Sequence, residues 1–189
     1  MKSIAVFCGS STGASEAYIN GAREFGKELA KRNIALIYGG ASVGVMGAVA
    51  DAVLDEGGQV IGVMPDFLEQ REISHKRLSK LVVVNSMHER KAKIAELADC
   101  FVALPGGPGT LDEFFEIFTW SQLGLHEKAC GLLNTNNYFE PLIELFNHMI
   151  KEQFLDEKYS SSIIIEDEAV RLLDRFNSYE SPTIKTYTN

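Results

Sequence analysis

The stretch FVALPGGPGTLDEF, Phe101–Phe114, contains three features that together indicate the fold. An apolar segment reads as a buried strand, the loop PGGPG follows, and a helix is predicted to begin at Thr110. A glycine loop that leads into a helix N-terminus is suited to anion binding, because free N–H groups and the helix dipole point there. The helix nevertheless carries two acids near its start, Asp112 and Glu113, which would repel a phosphate.

The same order of strand, loop and helix repeats along the chain. Most predicted strands are apolar throughout, as expected when helices cover both faces of a parallel sheet. This alternation predicts a single-domain, doubly wound, Rossmann-like α/β fold with a mainly parallel sheet. The predicted strands are Ile4–Cys8, Ala35–Tyr38, Gln59–Met64, Leu81–Asn85, Cys100–Leu104, Ala129–Leu133 and Ile163–Ile165, and the predicted helices are Ser15–Lys31, Val45–Glu56, Met87–Ala98, Thr110–Leu123, Phe139–Glu152 and Asp167–Asn177.

Two segments depart from this alternation. Residues Pro65–Lys80 read as one long irregular connection between strands. The polar residues after Asn177 read as a loosely held tail, so we expect one nucleotide-binding domain over residues 1–177 and a tail over residues 178–189.

Composition and charge exclude several classes of protein. The chain has 189 residues, of which 46% are hydrophobic and 23% charged, as is usual for a globular domain. A formal net charge of −8 argues against general nucleic-acid binding. No apolar run reaches the roughly 18 residues that a membrane span needs, and the N-terminal apolar run is too short for a signal peptide. We therefore expect a cytoplasmic protein that binds neither nucleic acid nor membrane.

The three cysteines, Cys8, Cys100 and Cys130, lie in or beside apolar strand-like segments. Their number is odd and their spacing fits no metal motif, which favours reduced core cysteines. No metal ligands are evident, and we expect neither a metal nor a cofactor.

Three glycine loops follow predicted strands, at the sheet edge where α/β proteins bind ligands. None has the G-x-G-x-x-G spacing of a dinucleotide site or the G-K-[ST] ending of a nucleoside-triphosphate loop. A tight turn explains any one such loop, but three at one edge indicate a phosphate or nucleotide site. In the first two loops the candidate residues are Gly9, Ser10, Gly39, Gly40, Gly44, Met46 and Gly47.

The segment NSMHERKAKIAELAD places Arg90 on the same helical face as Met87 and Ile94, which should pack inward. A guanidinium on an inward face needs an anionic partner. Arg90 therefore either forms an internal ion pair, with Glu113 or Glu72, or faces the ligand cleft. Lys91 flanks this face and could add positive charge.

The helix after the PGGPG loop has a predicted core stripe of Leu111, Phe114, Phe115 and Phe118, with Glu113, Ile117 and Trp120 on the other side. Glu113 lies four residues beyond Gly109, about 6 Å along the axis. A phosphate on the loop would then lie about one sugar away from this carboxylate. Stabilisation of the helix dipole is the alternative reason for an acid here, and it suffices for Asp112.

Three motifs, PGGPGTLDE (Pro105–Glu113), MHERK (Met87–Lys91) and YGGASVGVMG (Tyr38–Gly47), resemble those of the LOG ("lonely guy") family. The family comprises cytokinin riboside 5′-monophosphate phosphoribohydrolases, once mislabelled lysine decarboxylases, and the resemblance extends from the first strand to about Phe154. It implies that Arg90 and Glu113 are catalytic. It also implies substrate contacts by Glu72, Arg90, Lys91, Gly107, Pro108, Gly109, Thr110, Leu111, Asp112, Glu113 and Thr119. Pro108, where the plant-like pattern has Tyr, and Asp112, often Glu, depart from the family without removing a functional group.

The resemblance implies hydrolysis of the N-glycosidic bond in a nucleoside 5′-monophosphate, and the sequence leaves open whether the base is an isoprenylated adenine, adenine or another. Breaking this bond builds positive charge on the sugar, which a carboxylate at Glu113 would stabilise. The acid beside the anion site is then no contradiction, because the substrate is anionic at one end and becomes cationic at the other. The alternative is a non-catalytic nucleotide or cofactor carrier on the same fold. Family membership and the apolar helix Thr110–Leu123 also predict a homodimer.

Overall fold

The computed structural model of the protein describes residues 1–69 and 74–183. Its centre is a seven-stranded sheet with the strand order β4-β3-β2-β1-β5-β6-β7, in which each neighbouring pair is parallel. The predicted α/β fold is therefore confirmed, and all seven predicted strands are present. They are β1 (Ser3–Phe7), β2 (Ala35–Tyr38), β3 (Val60–Pro65), β4 (Lys80–Val84), β5 (Cys100–Ala103), β6 (Cys130–Leu133) and β7 (Ile163–Glu166).

Helices cover both faces of this sheet, and each face has its own apolar core. The described helices are α1 (Glu16–Lys31), α2 (Gly44–Asp55), α3 (Asp66–Glu69), α4 (Met87–Leu97), α5 (Pro108–Gln122), α6 (Glu140–Lys151), α7 (Glu157–Ser160) and α8 (Ala169–Asn177). Helices α1, α2 and α8 contribute to one core, and α4, α5 and α6 contribute to the other. The predicted pattern of helices on both faces is confirmed.

The order of the strands places the glycine loops together. The chain moves outward from β1 to β4 and then returns to the other side of β1, where it forms β5. Strands β1 and β5 are therefore neighbours whose connections leave in opposite directions, and such a switch point opens a crevice beyond the carboxyl ends of the strands. The loops after β1 and β5 border this crevice.

Helix α5 begins at Pro108, two residues before the predicted start at Thr110. Gly107 is its N-cap and Pro108 its first residue, a position where the missing N–H of proline costs nothing. Asp112 and Glu113 are consequently the fifth and sixth residues of the helix. Because the dipole acts within the first turn, it does not account for these two acids, and that explanation was wrong.

The buried face of α5 also differs from the prediction. Ile117, expected on the outer side, is 2% exposed, whereas Leu111 and Phe115 are only partly buried. Helix α5 lies between α4 and α6 on the same sheet face, and its ring contacts reach Phe146 of α6. A helix with neighbours on two sides needs a wider apolar band than a single stripe. The second apolar side is therefore largely covered by the chain itself.

The connection after β3 is more ordered than predicted, because it contains the short helix α3 and a β-bridge between Ala41 and Ser74. His75 fixes its second half. The His75 backbone N–H donates to the Gly40 carbonyl over 2.8 Å, and its Nε2 lies 3.1 Å from the Asp51 carboxylate on α2. The connection Pro65–Lys80, predicted to be irregular, thus contains a short helix and a β-bridge in its described part.

We expect His126 to make folding sensitive to mild acid. Its Nδ1 accepts from the Lys128 N–H, so Nε2 donates to the Ile117 carbonyl, 2.9 Å away. Burial lowers the pKa of His126, and the charge of Lys128 lowers it further. The unfolded chain therefore binds a proton that the folded chain resists, and stability falls as the pH drops through the ordinary histidine pKa of about 6.5. Urea unfolding from pH 7.5 to 5.5 should show a steeper loss for the wild type than for His126→Gln. Parallel curves would contradict this account.

Candidate active site

Arg90 is held in the interior by its place on α4 and by two hydrogen bonds of its guanidinium. Ser86 caps α4 by accepting from the Glu89 N–H, which fixes the helix start three residues before Arg90. The Arg90 Nη1 lies 2.5 Å from Glu113 Oε1, and its Nε donates to the Val63 carbonyl over 3.2 Å. A Cβ on Gly39 would come to 2.5 Å from Nη2, so this glycine makes room for the guanidinium.

Glu113 is the anionic partner, and it is buried with only 9% of its surface exposed. Burial raises the pKa of Glu113, whereas the charge of Arg90 and its hydrogen bond lower it and so limit the rise. Both alternatives that the sequence left open for Arg90 are therefore present, because Arg90 forms an internal ion pair and also faces a cleft.

This cleft is a cavity of about 260 Å³ beside the N-terminus of α5. The residues that follow β5, the ion pair of Arg90 and Glu113, and the start of the β1–α1 loop all contribute to its wall. The lining residues are Cys8, Gly9, Ser10, Met46, Met87, Arg90, Gly107, Pro108, Gly109, Thr110, Asp112 and Glu113. Since the first N–H groups of a helix have no partner within the helix, those of Gly107 and Gly109 are suited to an anion.

Cys8 and Met87 line the cleft, although neither was predicted from the sequence to contact a ligand. Cys8 directly follows β1 and precedes Gly9, so its position at the carboxyl end of a central strand was an available signal. Burial raises the pKa of the Cys8 thiol, with a further rise from the charge of Glu113. The thiol is therefore neutral at the floor of the cleft. Met87, expected to pack inward, is 37% exposed.

The N-terminus of α2 is occupied by the protein itself. The N–H groups of Val45 and Met46 donate to the carbonyls of Ser11 and Gly9, in the loop after β1. Gly44 has a positive φ of 59°, and a Cβ there would come to 2.6 Å from the Ser11 nitrogen. The other predicted glycines of this loop also allow close packing, of Met64 against Gly40 and of Ser42 against Gly47. These contacts explain the glycines of the second loop without a bound phosphate.

Three further residues with predicted substrate contacts are not among the residues that line the cleft. Lys91 forms ion pairs with Asp112 and Glu116, at 2.7 and 3.0 Å. Leu111 packs against the core on the α5 face of the sheet. Thr119 is exposed ten residues after Gly109, about 15 Å further along the helix. Glu72 lies outside the described residues.

A second cavity, of about 410 Å³, adjoins the cleft and shares with it Gly9, Ser10, Gly107 and Pro108. Its far wall carries the rings of Tyr18 and Tyr138, which meet edge to face with centroids 5.5 Å apart. Its lining carries hydroxyl groups and backbone but no charged side chain. We call this cavity the tyrosine lobe.

Other features of the described residues bear on the sequence expectations. All three cysteines are buried and unpaired. Within residues 1–69 and 74–183, no group of three or more His, Cys, Asp or Glu side chains is arranged to hold a metal ion. None of the helices described combines the length and the apolar character needed to cross a membrane.

Comparison with known proteins gives two kinds of similarity. In sequence, the chain is 48% identical over 165 residues to the cytokinin riboside 5′-monophosphate phosphoribohydrolase of Rhodococcoides fascians, covering 87% of this chain and 83% of the relative. It is 44% identical over 176 residues to the enzyme of that name, LOG, from Oryza sativa subsp. japonica, covering 93% and 73%. In structure, it resembles the molybdenum cofactor carrier protein of Chlamydomonas reinhardtii, with a TM-score of 0.71 and 20% identity over 94% of this chain and 98% of the other. The latter similarity shows the fold alone.

A protein-family model described as "possible lysine decarboxylase" matches residues 46–176, more than half of the chain. This range contains Arg90, Glu113 and the glycine loop that joins β5 to α5. Together with the identity to the two phosphoribohydrolases, the match shows that the chain belongs to the LOG family.

Proposed function

We propose that this protein hydrolyses the N-glycosidic bond of nucleoside 5′-monophosphates, such as cytokinin riboside 5′-monophosphate or AMP, to the free base and ribose 5-phosphate. The observation that carries the proposal is the buried ion pair of Arg90 and Glu113, which lies in a cleft beside the open N-terminus of α5. The relatives named for this reaction are 44–48% identical over most of the chain. No metal or cofactor enters the proposed reaction.

The 5′-phosphate would bind at the N-terminus of α5. The N–H groups of Gly107 and Gly109 and the positive end of the helix favour an anion there. The hydroxyl of Thr110, which is 3% exposed, lies against Gly106 behind this loop. Ser10 faces the same cleft from the loop after β1 and could add a hydroxyl donor.

The ribose would then lie beside Glu113, about 6 Å further along the helix axis than Gly109. As the bond between C1′ and the base nitrogen breaks, its electron pair leaves with the base and positive charge develops on the sugar. The Glu113 carboxylate stabilises this charge and orients the ribose hydroxyls. Water adds its oxygen to C1′ and loses a proton to Glu113, and the departing base takes up one proton, either from Glu113 or from solvent that receives the Glu113 proton in exchange.

Arg90 would act both on the Glu113 carboxyl and on the anionic substrate. Its guanidinium opposes the effect of burial on Glu113 and so favours the charged form of that carboxyl. It also adds positive charge to the cleft that receives an anionic substrate. Lys91 would support it indirectly, because its ion pairs with Asp112 and Glu116 tie α4 to α5.

A non-catalytic carrier is the weaker reading. The similarity to a molybdenum cofactor carrier is at 20% identity and shows the fold only. Binding alone does not explain a carboxylate held beside an anion site, because the carboxylate weakens binding of the anion.

We also propose a cytoplasmic location, because three buried, unpaired cysteines suit a reducing compartment. Residues 1–177 would form one nucleotide-binding domain, followed by the tail. Recognition of nucleic acid or membrane is no part of this proposal.

Replacing Glu113 with Gln should lower kcat for base release by about 10³-fold, because a neutral amide cannot stabilise developing positive charge. The amide still accepts a hydrogen bond from Arg90, so KM should change little. Chromatography of released base, at a temperature where circular dichroism shows both proteins folded, measures the effect. Glu116→Gln is the matched control, since it removes an ion-paired carboxylate from the same helix. Near-wild-type turnover of Glu113→Gln would remove Glu113 from the mechanism.

The reaction should depend on a phosphate at the 5′ position. Adenosine should have a kcat/KM at least about 10³-fold below that of AMP, since two or three charge-assisted hydrogen bonds are lost. Adenosine 3′-monophosphate has the same charge at the wrong position, and it should be as poor a substrate as adenosine. Equal kcat/KM values for AMP and adenosine would contradict a phosphate site at α5.

We expect a homodimer that covers the C-terminal end of α5. Leu123 and Leu125 are 45% and 68% exposed there. Phe154, which is 84% exposed, lines one surface pocket together with Gln122 at the end of α5. Leu125→Glu should then shift the protein toward monomer in sedimentation at micromolar concentration. Val170→Glu, at an apolar residue on α8 that is 46% exposed, is the control. A monomeric wild type would refute this prediction.

A further inference from the structure

The tyrosine lobe contains one hydrogen bond that bears directly on the proposed phosphate site. The Tyr138 hydroxyl donates to the carbonyl of Gly106 over 2.6 Å. We infer that Tyr138 is a positioning residue that sets the orientation of the Gly106–Gly107 peptide, so that the Gly107 N–H faces the substrate phosphate. This inference rests on the proposed function.

The geometry of a trans peptide links the Gly106 carbonyl to the Gly107 N–H. The carbonyl of one residue and the N–H of the next point in opposite directions within one rigid plane. Tyr138 lies in the wall of the tyrosine lobe and holds the Gly106 carbonyl toward that lobe. The Gly107 N–H of the same peptide must then point away from Tyr138. Among the residues described, it has no protein acceptor.

The peptide needs an external constraint because glycine stands on both sides of it. Without a Cβ, both residues tolerate the backbone angles of either orientation. Gly106 is closely packed, since a Cβ there would come to 2.6 Å from the Gly9 nitrogen. At Gly107, no atom of the described residues lies within 4 Å of the equivalent position. The peptide plane between Gly106 and Gly107 is therefore the adjustable part of the loop, and the Tyr138 hydroxyl forms a hydrogen bond to the carbonyl of this peptide.

Tyr138 is itself firmly held. It directly follows the 3₁₀ turn Thr135–Asn137, in which Asn136 and Asn137 have positive φ angles of 55° and 57°. The Asn134 side chain closes this turn by accepting from the Phe139 N–H and donating to Glu140, each over 2.7 Å. The Tyr138 ring also meets those of Tyr18 and Phe139 edge to face, at 5.5 and 5.1 Å. A hydroxyl carried on so constrained a residue can impose an orientation on its acceptor.

The effect should appear in recognition of phosphate and not in bond cleavage. Removing the hydroxyl releases the peptide, and one donor to the anion is lost for part of the time. For Tyr138→Phe we expect a KM for AMP about tenfold higher with little change in kcat, since one hydrogen bond to a charged group is weakened. Tyr18→Phe is the matched control, because it removes a hydroxyl from the same wall and keeps the ring contact.

Direct binding separates this inference from the proposed function. Calorimetric titration with ribose 5-phosphate and with inorganic phosphate requires no turnover, so it remains valid if AMP is not hydrolysed. Tyr138→Phe should bind both about tenfold more weakly than the wild type and Tyr18→Phe. Its affinity for free adenine should equal that of the wild type, which a general loss of structure would not allow. Unchanged affinity for both phosphates, or equal weakening for phosphates and adenine, would overturn the inference.

Discussion

An arginine and a glutamate that are each about nine-tenths buried must compensate each other's charge, and Arg90 and Glu113 do so across 2.5 Å. Removing one partner of such a pair typically costs about 3–5 kcal/mol, because the other charge stays buried. The surrounding residues accommodate this pair. Gly39 leaves space for the guanidinium, and the Val63 carbonyl accepts a hydrogen bond from it. A second ion pair between α4 and α5, from Lys91 to Asp112, lies close by. Two apolar side chains of similar volume would stabilise the fold at least as well as this buried ion pair. We therefore interpret the ion pair of Arg90 and Glu113 as functional.

The glycines of the three loops at this sheet edge have different structural roles. The loop after β2 and the N-terminus of α2 are occupied by carbonyls of the loop after β1, so their glycines serve close packing. After β5, helix α5 starts at Gly107 and Pro108, and no described side chain caps it. In the proposed reaction the anion would therefore bind at the N-terminus of α5 and not at that of α2. A single helix N-terminus then lies about one sugar length from the buried carboxylate, as hydrolysis of a nucleotide requires.

The sequence predicted the sheet, because its strands are apolar throughout and its glycines and caps mark the loops. It also singled out Arg90, because a guanidinium on an inward face needs an anionic partner. Glu113 was singled out as one candidate partner and by its distance from the glycine loop, although the sequence placed it opposite the core stripe of its helix. The prediction from sequence was wrong at two points in α5. The helix starts earlier than predicted, with Gly107 as its N-cap and Pro108 as its first residue. Ile117 is buried because α5 has a neighbouring helix on each side. The family resemblance also implied a substrate contact by Thr119, which lies about 15 Å beyond Gly109 along the helix, and Tyr138 belongs to none of the three motifs. Its contact with Gly106 spans 32 residues and depends on how the β6–α6 connection folds.

In the proposed mechanism, Arg90 keeps Glu113 charged in spite of burial. Carbon-13 NMR titration of the side-chain carboxyls measures this directly, with the Glu113 resonance identified by its loss in Glu113→Gln. In the wild type, the pKa of Glu113 should lie above the ordinary value because of burial, and the group should still be a carboxylate at the pH of maximal activity. In Arg90→Gln, the loss of the opposing charge should raise this pKa further, and the acidic limb of the kcat/KM profile should move to higher pH with it. The same Glu113 pKa in both proteins, or a neutral Glu113 in the active wild type, would contradict the account.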